Sequence, residues 1–171
     1  MPCKSLTGIA LIDNCLPNAG GIIRMLVADE TSITAETVSL SAWTVTNITS
    51  IDNFVEFQFG RNVGFTSSEL GGDLVARSTS YNNSITTVFT RREATKSESL
   101  NTLGAGRRYL RILVQDRNEL WWNFPYMQLN TDVEESGTAT LDGSKYTVNF
   151  IGEDIHKLYE VDSAIIAGLL I

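Results

Sequence analysis

Histidine is almost missing from this 171-residue chain, and cysteine and proline are scarce, with one His, two Cys and three Pro. A single histidine, His156, removes the acid–base and triad schemes that run through imidazole. Its neighbours Glu153 and Asp154 add carboxylates, but one histidine beside two acids is a weak metal-ligand set, and a solvated histidine is the simpler reading. Cys3 and Cys15 have neither CxxC spacing nor a nearby histidine pair, which argues against a zinc site or a disulfide framework; they read as small apolar residues. No apolar run approaches the roughly 20 residues of a membrane span. The first apolar stretch is diluted by Ser5, Thr7 and Gly8 and ended by Asp13, a poor match to a signal peptide, so folding in the cytoplasm is expected. Without a secretory signal, the acceptor patterns at Asn47 and Asn82 read as chance matches. No P-loop, nucleophile elbow or kinase motif is present, and Gly104 and Gly106 lead into a strand rather than the helix that a dinucleotide fingerprint requires. The expectation is a protein without catalytic, cofactor-binding or metal-binding residues.

What the chain does have is β-forming sequence and unevenly placed charge. At 171 residues the prior is a single domain, 1–171, large enough to bury a sizeable core. The formal net charge is −7, yet 91–117 carries seven basic residues against three acidic ones, and 130–162 carries eight acidic residues against two lysines. Unlike patches of this kind suit head-to-tail pairing between copies of one chain.

The strongest stretch is 107–124, RRYLRILVQDRNELWWNF, which reads as a hairpin: a bulky β-favouring run at 109–114, a polar turn, and an aromatic return at 120–124. Strands are also expected at 21–28, 41–51, 53–59 (alternating from Val55 on) and 81–90. In the last of these, Ile85, Thr87 and Phe89 share one face. A helix is expected at 93–103, with Gly104 beyond its last apolar position. Residues 60–80 shift to Gly, Ser and Thr and read as a long loop. Residues 130–137 read as an acidic loop, followed by a hairpin of 138–141 and 144–151 around a two-residue Asp142-Gly143 turn. The predicted fold is mainly β, an antiparallel β-sandwich or barrel with one flanking α-helix.

Several features invite a functional reading. Trp121 and Trp122 are adjacent in a strand and so point to opposite faces, one toward the core and one toward an interface. Trp121, Trp122 or Tyr126 could instead serve a small β-barrel module that binds a ligand or carbohydrate. The arginines at 91, 92, 107, 108, 111 and 117 could contact phosphate, but the chain is acidic and shows no nucleic-acid motif, so pairing between subunits is preferred. The C-terminal segment 164–171 is too apolar to stand in water; it must dock on its own domain or cover a neighbour.

Taken in order, an N-terminal apolar strand, the Gly- and Ser-rich excursion, a helix entering RRYLRILVQD, the LWWNFPYMQL return and a closing GTATLDGSKYTVNF segment resemble phage tail tube proteins, in particular those of phages infecting Bacteroidota. The resemblance implies a structural virion protein that self-assembles as six-membered rings stacked into a tube, with other tail proteins as partners. It implies transient, non-specific DNA passage through an acidic lumen, no membrane, and a location in the virion tail after assembly in the host cytoplasm. It also implies stacking contacts from the N-terminal arm 1–20, the loop 60–80 and the segment 164–171. The expected self-assembly residues are Thr66, Glu69, Leu70, Arg108, Arg111, Trp122, Ile165, Ile166, Leu169 and Leu170.

Overall fold

The apolar run after Tyr109 shows little alternation because the strand it forms is buried on both faces. In the computed structural model, which describes residues 18–58, 60 and 62–170, Leu110, Ile112 and Val114 face one core and Leu113 faces another. The described elements are β1 (Ile22–Asp29), β2 (Ile33–Ser39), β3 (Thr44–Ser50), β4 (Val55–Gln58), β5 (Gly64–Gly71), β6 (Ser80–Thr90), α1 (Ala94–Gly104), β7 (Leu110–Asp116), β8 (Trp121–Glu135), β9 (Lys145–Asp154), β10 (Tyr159–Val161) and α2 (Ser163–Leu169). The chain is mainly β. The expected hairpin is β7 and β8, paired from Leu110↔Met127 to Gln115↔Trp121. Its turn is fixed by Asp116, whose Oδ1 accepts from Asn118 N at 2.8 Å and Leu120 N at 3.0 Å.

Ten strands form one curled, mixed sheet with the order β2-β3-β10-β8-β7-β1-β4 and a branch β8-β9-β6-β5. The long strand β8 joins the two parts. Its first half pairs with β7 and β10 and its second half with β9. Among the described strands only β3 and β10 run parallel; the other pairings are antiparallel.

Curling places apolar side chains on both sides of the central strands. The first core lies within the curl, where Met25, Ile85, Ile112, Phe124, Tyr146, Val148 and Phe150 meet Leu100 of α1. Tyr146 anchors the start of that helix, its hydroxyl lying 2.7 Å from Ser97 Oγ and accepting from Glu93 N at 3.2 Å. The second core, on the other face, joins Leu26, Val45, Phe54, Leu113, Trp121 and Val161 to Ile166 and Leu169 of α2. Each fully buried large side chain contributes about 1.5–3 kcal/mol relative to exposure.

Five expectations require correction. Residues 60–80 are not one long loop: β5 forms within the segment, pairing along its whole length with β6 from Gly64↔Thr87 to Gly71↔Ser80. The acidic stretch 130–137 largely continues β8, where cross-strand pairing with β9 outweighs the low β-propensity of its acids. The two-residue Asp-Gly hairpin does not form. Glu135 pairs with Lys145, and 136–144 make a wider connection folded by Asp142, whose Oδ2 accepts from Thr138 N, Thr138 Oγ1 and Ala139 N at 2.9, 2.9 and 2.8 Å. Strand β2, ITAETVS, is an unexpected strand, since its sequence is largely polar and none of its residues is fully buried. Finally, there are two helices rather than one: 164–171 belongs chiefly to α2, capped by Asp162, whose Oδ1 accepts from Ala164 N at 2.9 Å. The readings made on Cys3, Cys15 and most of the arm 1–20, and on Phe59 and Ile171, lie outside the described residues.

Candidate interaction surfaces

Two tyrosines are brought together by an irregularity in β8. The register passes from Leu110↔Met127 to Ile112↔Phe124, so Arg111 faces two residues, Pro125 and Tyr126, across a β-bulge. A bulge bends its strand and re-aims a side chain. Tyr126 takes a positive φ of 52°, uncommon for a residue with a Cβ. Its ring is turned outward, 54% exposed, beside the 53% exposed Tyr109. Their centroids lie 6.1 Å apart with the planes at 79°. Beneath the bulge β9 passes at Gly152, where a Cβ would come within 2.5 Å of Met127 Sδ and 3.1 Å of Tyr126 O.

A buried ionic cluster holds the bulge in place. Arg111 is 4% exposed. Its Nε and Nη2 donate to the two Glu30 carboxylate oxygens at 2.9 and 2.6 Å, and its Nη1 donates to Glu36 Oε2 at 2.5 Å and Asn123 Oδ1 at 3.1 Å. Asn123 Nδ2 donates in turn to Glu36 Oε1 at 2.9 Å, and Tyr126 N donates to Glu30 Oε2 at 3.3 Å. Burial opposes the guanidinium charge, but the hydrogen bonds and fields of Glu30 and Glu36 outweigh it and hold Arg111 above its ordinary pKa.

Beside the tyrosines lies a groove of about 720 Å³, lined by residues of β5, β6, β8 and β9 with Tyr109 at its edge. Strand register builds its floor. Glu69, Asn82 and Glu153 stand in one row across three strands, and Ser67, Ser84, Ile151 and Gln128 form a second row across four. These positions lie opposite the buried Asn83, Ile85 and Thr87, so they face outward. Gln128 is fixed by its Nε2, which donates to Arg107 O at 2.5 Å.

A second surface is the hairpin of β5 and β6. Among the described residues β5 pairs only with β6, which leaves its other edge unpaired there. The connection opens at Gly72, whose φ of 107° suits glycine. It is stapled by Asp73, whose Oδ1 accepts from Val75 N and Ala76 N, both at 2.7 Å. Leu74 and Val75 at its tip are 97% and 94% exposed. Strands β2 and β4 are likewise paired on one side only among the described residues.

The ten expected self-assembly residues do not share one surface. Thr66, Glu69 and Leu70 all lie on β5, with Leu70 71% exposed. Arg108 is at the surface and forms an ion pair with Asp29 at 3.3 Å. Arg111 is engaged inside the subunit, so the pairing with a neighbour expected of it has no free guanidinium to use. Trp122 is half-buried against the first core, and its Nε1 donates to Asp116 Oδ2 at 3.1 Å. Trp121 is buried in the second core and presents no ligand platform. Ile165, Ile166, Leu169 and Leu170 all pack into that second core, so the C-terminal segment docks on its own sheet.

The exposed pair Leu74 and Val75 and the wall formed with Tyr109 were not anticipated. A Leu-Val pair within a Gly- and Ser-rich stretch was a legible signal; the meeting of Tyr109 with Tyr126 was not, because it depends on the bulge. Among the described residues no group of three or more His, Cys, Asp or Glu side chains converges to hold a metal ion. No described helix is long and apolar enough to cross a membrane. No family model, curated protein or solved structure matches the chain.

Proposed function

We propose that this chain is a structural, non-enzymatic virion protein that self-assembles, with rings of six subunits stacking into a tail tube. The single observation that carries the assembly reading is the β5–β6 hairpin, which has an edge unpaired among the described residues and two almost fully exposed aliphatic side chains at its tip. A long unpaired edge is a liability to a monomer but a ready contact between subunits. The ring and tube rest on the family resemblance of the element order.

In this reading β5, with Thr66, Leu70, Leu74 and Val75, meets a second copy. The contact is heterologous, hairpin to a different surface, and closes into a ring before rings stack. The curled sheet acts as an incomplete sandwich or barrel whose open side faces neighbouring subunits. An overall acidic subunit suits a lumen through which DNA passes without adhering, since like charges repel. The partners are further copies, other tail proteins and transient DNA; the location is the virion tail, after assembly in the host cytoplasm. Sedimentation across protein concentration, with electron microscopy of the concentrated sample, tests this. Rings or tubes are expected, and a persistent monomer at high concentration and physiological salt would overturn it.

A further inference from the structure

We propose that the groove beside Tyr109 and Tyr126 binds a neutral saccharide chain, a role separate from self-assembly. At about 720 Å³ the groove falls within the roughly 300–1,000 Å³ range of small-molecule sites. Its chemistry combines two elements. The first is the tyrosine wall, two half-exposed rings held nearly perpendicular, which offers an apolar face and hydroxyl groups together. The second is the floor, where Ser67 and Ser84 hydroxyls, the Asn82 amide and the Glu69 and Glu153 carboxylates stand in two rows set by strand register.

The mixture of donors and acceptors decides among ligand classes. A sugar hydroxyl both donates and accepts, so it uses carboxylates, amides and serines alike, while the C–H face of the ring lies on an aromatic side chain. A phosphate or nucleic acid would meet Glu69 and Glu153, with no arginine or lysine among the described residues that line the groove. A polyamine would use the carboxylates and leave the Asn82 amide and serine hydroxyl donors idle.

The tyrosine wall is also held in place. The bulge that aims Tyr126 outward has its backbone N–H tied to Glu30, itself gripped by buried Arg111. A non-glycine residue held at positive φ is strained and persists where its surroundings determine it. The floor rests on continuous pairing of β5, β6 and β9, so the two walls keep their spacing before a ligand arrives. Preorganisation of this kind reduces the entropy lost on binding.

The test uses the full chain and four neutral probes, cello-, malto-, manno- and chitohexaose, with spermine as a cationic probe, followed by backbone-amide NMR. At least one hexaose should shift the amides of β5, β6 and Tyr126 saturably, with a Kd of about 1 mM or tighter. That binding should persist in about 1 M salt, where screening acts within roughly 3 Å. Tyr109→Ala and Asn82→Ala, each checked for an otherwise unchanged spectrum, should each weaken it about tenfold. Absence of binding by all four sugars overturns the proposal. So does unchanged affinity in both variants, or salt-sensitive spermine binding in place of any sugar. Because the signal is read from amides of the groove at concentrations where the protein is monomeric, a negative result leaves the assembly test intact.

Discussion

Arg111 and Glu30 form a two-pronged ion pair inside the subunit, with Nε to Oε2 at 2.9 Å and Nη2 to Oε1 at 2.6 Å. The pair joins the central strand β7 to the turn between β1 and β2. Through the contact of Glu30 with Tyr126 N it also fixes the β8 bulge.

Removing one member of this cluster should be costly. Arg111→Met leaves Glu30 and Glu36 without their shared cation, and breaking a buried pair in this way costs about 3–5 kcal/mol. Urea unfolding of the monomer measures it. Were Arg111 chiefly a contact to a neighbouring subunit, monomer stability would instead stay near that of the parent.

The C-terminal helix should behave as part of the core. Ile166 and Leu169 are 6% and 7% exposed. Replacing either by Ala is expected to destabilise the monomer by about 2–5 kcal/mol, the usual range for a buried aliphatic truncation. Deletion of 164–171 should lower the thermal midpoint of the monomer, and a deletion variant that melts like the parent would show that the helix is dispensable to the domain.

At the hairpin tip the opposite pattern is expected. Leu74→Asp with Val75→Asp alters side chains that are 97% and 94% exposed, so monomer stability should change by no more than about 0.5 kcal/mol per site. Self-assembly, followed by sedimentation against concentration, should be lost. Wild-type assembly in the double variant would remove the tip from the contact.

Acid should destabilise the fold through carboxylates held below their ordinary pKa. Asp29 is lowered by its hydrogen bond from the Thr31 hydroxyl and by Arg108, Glu56 by its hydrogen bond from Arg24, and Asp142 by the backbone N–H groups of Ala139 and Thr138. A depressed folded-state pKa stabilises above the unfolded value and loses that contribution as pH falls through the folded one. The melting midpoint should therefore fall as pH drops below about 4. Asp132 has the opposite sign, raised by burial and by Glu134. Its protonation favours the fold, so Asp132→Asn should raise the midpoint slightly at neutral pH and lose that advantage in acid.

Buried Asn83 should be replaceable at a gain. It is 2% exposed, and neither atom of its amide has a hydrogen-bond partner among the described residues. An unmet buried polar group costs about 1–3 kcal/mol. Asn83→Leu should raise the urea midpoint; a lower midpoint would mean that the amide is satisfied in solution.

By itself the sequence determined the mainly β character, the β7–β8 hairpin, strands near β1, β3, β4 and β6, and the first helix. Each of these rests on local signals: β-branched runs, the Asp116 turn, and a glycine ending the helix. It also carried the weakness of imidazole chemistry, because one histidine is a fact of composition. Local signals failed where partners are distant in sequence. The apolar tail 164–171 has one composition whether it docks on its own sheet or on a neighbour; only the second core, open beside β3 and Phe54, decided that it becomes α2. Arg111 looked like a surface charge because neither Glu30 nor Glu36, 81 and 75 residues away, announces itself as its partner. The acids of 130–135 and the polar β5 are strands because β9 and β6 supply the pairing, which propensity cannot foresee. The groove exists only because register aligns Glu69, Asn82 and Glu153 while a one-residue bulge turns Tyr126 toward Tyr109. Register and bulges are set by long-range pairing and the burial of whole faces, and these are properties of the folded sheet.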